Sequence, residues 1–374
     1  MEQRKETRKN IAFNQEALLR EGLSLAEQAL GFLGDRNQKI VSLFFGLEEK
    51  KQSLAGIGKK TGITRERVRQ IKAESLKKIR KTVSVRRESA WMNFFEQMEK
   101  LFFLQGGFIE EKRLGGLLKK NIDPKEQGTI NFLLSLDDKR FSFEKKNSKM
   151  KNFWLLKNKK MDGTTYRKNL AQAMDFLLDF FKKEKRVLKK AEIKKMLATF
   201  PGDFFSGEQG EARMENLLFL SAKLKKNILH QWGFSNWPTI ASSITKEKAY
   251  LVLKKEGQPL HFRAITNLIK EYWPEKKIIL QTVHNELIKD SRFALVSRGV
   301  YGLCEWGFVK SPVKKIVWEF LRKTDRPLEK KEILEYIMKI KKVKNSTVSV
   351  CLSDRRYFQK VEGGKFLALE KKEQ

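Results

Sequence analysis

"GITRERVRQIKAESLKKIR", residues 62–80, decides how the chain is read. Projected on a helix from Thr64, Val68, Ile71, Ser75, Leu76 and Ile79 gather on one side, and Glu66, Arg69, Gln70, Ala73 and Lys77 on the other. One face packs and the other points outward. Gly62 can take the positive φ of a tight turn, Thr64 suits an N-cap, and Glu66 in the first turn suits the helix dipole. Upstream, "SLAGIGKKTG" (53–62) offers a Ser53 cap and the apolar pair Leu54 and Ile57, a short helix that Val68 and Ile71 could clasp. Two such helices make a helix-turn-helix, whose second helix enters the major groove. There Arg bonds bidentately to guanine, Gln to adenine, and Glu to the cytosine amino group.

The bland alternative is a solvated basic helix in a chain with 33% charged residues. Mixed Arg, Glu and Gln opposite a clean apolar stripe favour the groove reader over a lysine-coated surface. Composition agrees. The 374 residues carry 79 Lys+Arg against 45 Asp+Glu, a net charge of +34, and self-repulsion of that size calls for an anionic partner. Length suggests two or three domains, and 40% hydrophobic content can supply several small cores. The N-terminus "MEQRKETRKN" is polar, and no apolar run approaches the roughly 18 residues of a membrane span. A cytoplasmic, nucleoid-associated protein is expected. Cys304 and Cys351 stand far apart without C-x-x-C spacing, which disfavours a zinc ribbon or a disulfide and makes both small core residues.

Residues 35–80, "DRNQKIVSLFFGLEEKKQSLAGIGKKTGITRERVRQIKAESLKKIR", resemble the fourth conserved region of housekeeping-class bacterial sigma factors. The hallmark there is an R-FGL segment followed by T-LEEIG and T-RERVRQIE-A-LKKLR. The resemblance implies that Arg65, Glu66, Arg69 and Gln70 read the upstream promoter element and that Arg67 touches the DNA backbone. Thr64 and Lys77 complete the expected DNA-binding set. The helix over 35–47 would meet the flap of RNA polymerase. Phe44 stands where the family has an arginine, and Ala55 and Gly56 replace its paired glutamates. The resemblance covers about an eighth of the chain, and 34 residues precede it, too few for a strand-melting region.

Downstream the sequence repeats. "GGFIEEKRLGGLL", "KRVLKKAEIKKML", "GQPLHFRAITNLI" and "DRPLEKKEILEYI" align on Ile109, Leu188, Leu260 and Leu328. Five residues later come Leu114, Ile193, Ile265 and Ile333, nine later Leu118, Leu197, Ile269 and Ile337, and eight earlier Leu101, Phe180, Val252 and Phe320. The spacing predicts a helix, a short extended link and a second helix. A third helix comes next, marked by Ile130 and Leu134, Met214 and Leu218, Val283 and Leu287, or Val348 and Leu352. Each repeat then closes on Phe141, Leu224, Phe293 or Phe358 and the strand-like "FWLLKN", "HQWGFSNW", "GVYGLCEW" or "GKFLALEK". Three helices and a hairpin predict a winged helix in each repeat, folding as separate beads.

The third repeat, with P-L-H-F at 259–262, T-V-x-x-x-L at 282–287 and R-F followed by R-G-x-Y-G-L at 292–303, resembles the HARE-type helix-turn-helix. That domain is known from the delta subunit of Gram-positive RNA polymerase. The third helices "TVHNELIKD" and "STVSVCLSDRR" carry mixed charge, so base reading and protein contact stay open for them. Loops such as "KLKKN" and "KIKKVKN" suit phosphate rather than sequence.

No P-loop, G-x-S-x-G or H-E-x-x-H motif is present, and His230, His261 and His284 are scattered. Asp138, Glu144 and Lys146 imitate the acid and E-x-K spacing of a metal-dependent nuclease, but "EKK" recurs along the chain and this segment is needed as a wing. The expected fold is therefore mainly α: a sigma-like helix-turn-helix (1–83) followed by four tandem winged-helix units at 90–160, 165–240, 243–309 (HARE-type) and 310–374. The expected function is sequence-specific DNA binding in transcription regulation, at promoters with or on RNA polymerase. Its partners would be double-stranded DNA and the polymerase core, without catalysis, cofactor or metal. The alternative is a polymerase-associated interaction protein, like the delta subunit, with secondary nonspecific DNA contact.

Overall fold

The computed structural model describes residues 15–86, 89–157, 163–241, 244–341 and 343–369. They are mainly helical. The chain forms two compact units that divide between Lys225 and Lys226, inside the stretch expected to be the second winged-helix unit.

In the first unit, α1 (Gln15–Leu30) presents Leu18, Gly22, Leu25 and Ala29 at helical spacing. Gly22 matters because a β-carbon there would stand 2.9 Å from the Phe94 ring and 3.1 Å from Leu133. Then come α2 (Asp35–Phe45), α3 (Leu54–Thr61), α4 (Arg65–Arg86) and α5 (Ser89–Leu104). Next are β1 (Phe108–Glu110), α6 (Glu111–Leu118), α7 (Pro124–Leu136), β2 (Phe141–Glu144) and β3 (Phe153–Leu156). The three strands form an antiparallel sheet in the order β1-β3-β2. The unit continues through α8 (Gly163–Glu184), α9 (Lys190–Leu197), α10 (Gly210–Leu220) and the start of β4 (Leu224–Lys226).

Two cores lie side by side under the helix-turn-helix. Ile40, Leu43, Ile57, Val68 and Ile71 form a small one. Val41, Phe45, Leu76 and Ile79 belong to a larger one that runs from Leu18 to Trp154. Helices α2 and α4 therefore each bury one stripe in each core. Each fully buried Leu or Ile stabilises the fold by about 1.5–3 kcal/mol, so the helix-turn-helix is welded to the segment C-terminal to it. One core thus holds residues of two stretches expected as separate domains, 1–83 and 90–160. The cause is α7, which buries Gly128, Thr129, Ile130, Asn131, Phe132, Leu133, Leu134 and Leu136. A helix buried on so many sides needs neighbours around it.

The second unit holds β5 (Trp232–Phe234), α11 (Pro238–Ala241), α12 (Thr245–Glu256), β6 (Leu260–His261), α13 (Phe262–Tyr272), α14 (Leu280–Lys289), β7 (Phe293–Ser297) and β8 (Val300–Leu303). After them come α15 (Val313–Thr324), α16 (Lys330–Ile340), α17 (Asn345–Leu352), β9 (Phe358–Lys360) and β10 (Phe366–Ala368). Strands β6, β8 and β7 form one antiparallel sheet and β9 with β10 another. The order of helix, extended link, two helices and hairpin recurs, and the aligned residues Ile109, Leu188 and Leu328 are buried, with Leu260 half-buried. At the position eight residues earlier, Phe180 and Phe320 are only half-buried, and their neighbours Phe181 and Leu321 fill the core.

The residues singled out in the third repeat hold that fold together. The His261 ring accepts the Arg263 N–H at 3.3 Å and caps α13. Phe262 stacks on His284, rings 4.4 Å apart, so His261 and His284 flank one aromatic ring instead of standing alone. Gly299, at φ 71°, turns the hairpin where a β-carbon would lie 2.5 Å from His261. Arg292 ties α12 to the end of α14 through Glu247 and Asp290, both at 2.8 Å. The two cysteines are half-buried and free, not core residues: Cys304 comes after β8 in a single helical turn, and Cys351 sits beside, not on, the Val348–Leu352 stripe.

Candidate nucleic-acid interface

Local chemistry sets the turn between α3 and α4. Ser53 accepts the Gly56 N–H at 3.1 Å and starts α3, which ends at Gly62 with φ 70°. Thr64 then accepts the Arg67 N–H at 3.1 Å and starts α4. Gly58 lets the two helices close up, since a β-carbon on it would meet the Ile63 carbonyl oxygen at 2.5 Å. Lys60 bonds Glu49 at 2.5 Å and pins α3 to the preceding loop.

Val68 and Ile71 are buried beneath this turn, and Thr64, Arg65, Glu66, Arg67, Arg69 and Gln70 are all exposed on its far side. The exposed groups are not idle. Arg69 grips both oxygens of Glu66 at 2.6–2.9 Å, and Arg67 donates to the Gln70 side-chain amide oxygen, Oε1, at 3.2 Å. The guanidinium holds the Glu66 carboxyl below its usual range, and the carboxylate raises Arg69 in return. Both side chains of the pair remain 58% exposed, a setting in which an ion pair contributes little and is screened by salt. Both point away from the buried Val68–Ile71 stripe. Lys77, also exposed, lies two turns further along, roughly 10 Å from Gln70. It lines a hollow with Arg80, Lys81, Lys139 and Arg140 that belongs to the junction with the next segment, not to the turn.

One group that the sequence did not single out stands at the edge of this face. Lys72 lies over the Phe44 ring, 4.2 Å from its centroid, which gives the departure from the family's arginine a structural use. Burial first, and then repulsion from Lys145 and Arg69, push its ammonium below the ordinary range. Lys72 could have been found from the helical projection, but its stacking on Phe44 depends on how α2 packs against α4.

Both acids of the nuclease-like trio are engaged by arginines. Asp138 binds Arg80 at 2.6 Å, and Glu144 binds Arg167 at 2.7 Å. Among the described residues no cluster of three or more His, Cys, Asp or Glu could hold a metal ion. The third helices of the repeats differ in what they leave outside. α7 and α10 are largely internal, and α14 and α17 bury only Val283 with Leu287 and Val348 with Leu352.

Comparison with known proteins fits this geometry. The family profile for sigma-70, region 4, matches residues 29–81. The RNA polymerase sigma factor RpoD of Helicobacter pylori strain 26695 and that of strain J99 are each 39% identical over 75 residues, 19% of this chain and 11% of theirs. The match thus spans about a ninth of those relatives' length. No solved structure matches. Sigma-70 region 4 is a DNA-binding domain of polymerase-associated factors, so residues 29–81 form a sigma-type helix-turn-helix.

Proposed function

We propose that this chain is a sequence-specific DNA-binding transcription regulator that acts at promoters with or on RNA polymerase. One observation carries the reading: in a segment that matches sigma-70 region 4, the first two turns of α4 hold Arg65, Glu66, Arg67, Arg69 and Gln70 exposed above a fully buried Val68–Ile71 stripe. Arg65, Glu66, Arg69 and Gln70 read base edges in the major groove. Thr64, its hydroxyl engaged as the cap, and Arg67 hold the flanking backbone, with Lys77 adding charge further along.

The downstream segments are read as winged-helix units at 90–160, 165–240, 243–309 and 310–374, the third HARE-type. The element order and the recurrent buried anchors support this. Units one and two act as scaffold, because their third helices are largely internal. Units three and four keep an open helix for DNA or polymerase. The chain is read as a non-enzymatic, cytoplasmic protein of the nucleoid; no described helix is long and apolar enough to cross a membrane.

Selection from a random duplex pool by the full chain tests the reading. One short sequence should be enriched, and Arg69→Ala with Gln70→Ala should abolish the enrichment while general duplex binding persists. If the wild-type chain enriches nothing, the reading is wrong.

A further inference from the structure

We propose that the last repeat, 310–374, seats one backbone strand of duplex DNA in the hollow between α17 and the β9–β10 hairpin, with Lys330, Arg355 and Lys360 as its phosphate contacts. This rests on the DNA-binding reading of the chain, and for this repeat it chooses DNA over polymerase.

The hollow is built by three elements that the fold draws together. Phe358 of β9 is buried in one core with Val348 and Leu352 of α17, so the hairpin packs on the third helix. Phe366 of β10 bridges Leu328, its N–H donating to the Leu328 carbonyl oxygen at 2.9 Å, which brings the start of α16 to the same place. The far end of the hairpin is pinned as well. The Leu369 N–H donates to the Tyr357 carbonyl oxygen at 2.8 Å, and the Trp318 ring N–H donates to the Leu369 carbonyl oxygen at 2.9 Å. The resulting hollow, about 760 Å³, is lined by the buried Leu352 and Phe358 and by the exposed Lys330, Arg355 and Lys360. Lys330 opens α16, Arg355 follows α17 and Lys360 ends β9.

Charge points to the occupant. Among the described residues no carboxylate lines the hollow, and none pairs with these three cations. Glu329 and Glu362, their neighbours in sequence, do not line it. Asp354 is held by Lys314 and Arg356, and Glu332 by Arg326. Gln359, exposed on β9, adds an amide that can donate to a phosphate oxygen. Cations from three elements, with no acid among them, suit a polyanion, and exposed Lys and Arg are the groups that replace the counterions of a nucleic-acid backbone.

The other repeats fill these places differently, so the fold by itself does not supply the site. Two residues after the aligned anchor, Lys330 is matched in the third repeat by Phe262, which stacks on His284. Three before and two after the closing phenylalanine, Arg355 and Lys360 are matched by Asp290, held by Arg292 at 2.8 Å, and by Leu295. The first repeat has Glu111, Asp138 and Phe143 there. The second has Lys190, Ser221 and Lys226, and its Lys190 is paired with Glu215 at 2.6 Å.

The test follows affinity against salt for the full chain with Lys330→Gln, Arg355→Gln and Lys360→Gln, on the duplex enriched by the wild type and on a shuffled duplex of the same composition. A second triple, Lys323→Gln, Lys331→Gln and Lys339→Gln, removes the same charge from this repeat outside the hollow. The first triple should lower the log–log salt slope by about 2.7 on both duplexes, and the second by less than half as much. The enriched sequence should stay the same. Equal drops in the two triples, or an unchanged slope in the first, overturn the proposal. An unchanged slope with loss of co-sedimenting RNA polymerase also overturns it and gives the hollow to an acidic protein. If the first triple does not fold, Arg355→Gln alone decides, with an expected drop of about 0.9. A wild type that enriches nothing overturns the groove reading of α4, while the slopes on the shuffled duplex still judge the hollow.

Discussion

At the scale of single residues, the interface is a turn with almost no slack. Gly58 faces the Ile63 carbonyl oxygen where a methyl group would stand at 2.5 Å. Gly58→Ala should therefore cost about 1–3 kcal/mol, as overpacked sites do, measured as a shift in the urea midpoint against wild type. The Glu66–Arg69 pair should behave differently. It is exposed, so Glu66→Gln should leave the melting temperature nearly unchanged yet alter which sequences are enriched from a random pool. Ser53, Gly62 and Thr64 were legible because caps and turns are decided by neighbours within a few residues. The stacking of Lys72 on Phe44 was not, since it depends on how two helices pack against each other.

At the scale of elements, the repeat of helix, link, two helices and hairpin was readable from apolar spacing, and the buried residues Leu114, Ile193, Ile265 and Ile333 fall where that spacing puts them. What spacing could not tell was which third helices stay open. The pattern of α7 marks Ile130 and Leu134, but Gly128 gives away its second contact only in three dimensions. A β-carbon there would lie 2.4 Å from the Phe45 carbonyl oxygen at the end of α2. Gly128→Ala should push α2 from α7, lower stability by about 1–3 kcal/mol and weaken DNA binding without altering sequence preference. In the second unit, Arg292 hydrogen-bonds Asp290 and holds its carboxyl down to about 2, below the usual value near 3.9. Because the folded pKa is depressed, the stabilisation is complete above about pH 4 and disappears as pH falls through about 2. Denaturant titrations of wild type and Asp290→Asn should accordingly differ at pH 5 and converge towards pH 2.

At the scale of the whole molecule, a net charge of +34 announces an anionic partner but not where it binds. In the proposed reading α4 supplies sequence preference and lysines elsewhere meet phosphate, so binding as a whole should fall steeply with salt while sequence preference changes little. That residues 1–83 and 90–160 share a core was not legible, because a count of apolar positions does not say whether two stripes face one core or two. The most direct measurement compares wild type and Arg69→Ala on the enriched duplex and on each of its single base-pair variants. If Arg69 reads a base, one base-pair change should cost the wild type about tenfold or more and cost Arg69→Ala almost nothing, with all other positions behaving alike in both proteins. Equal losses in the two proteins at every position would contradict it.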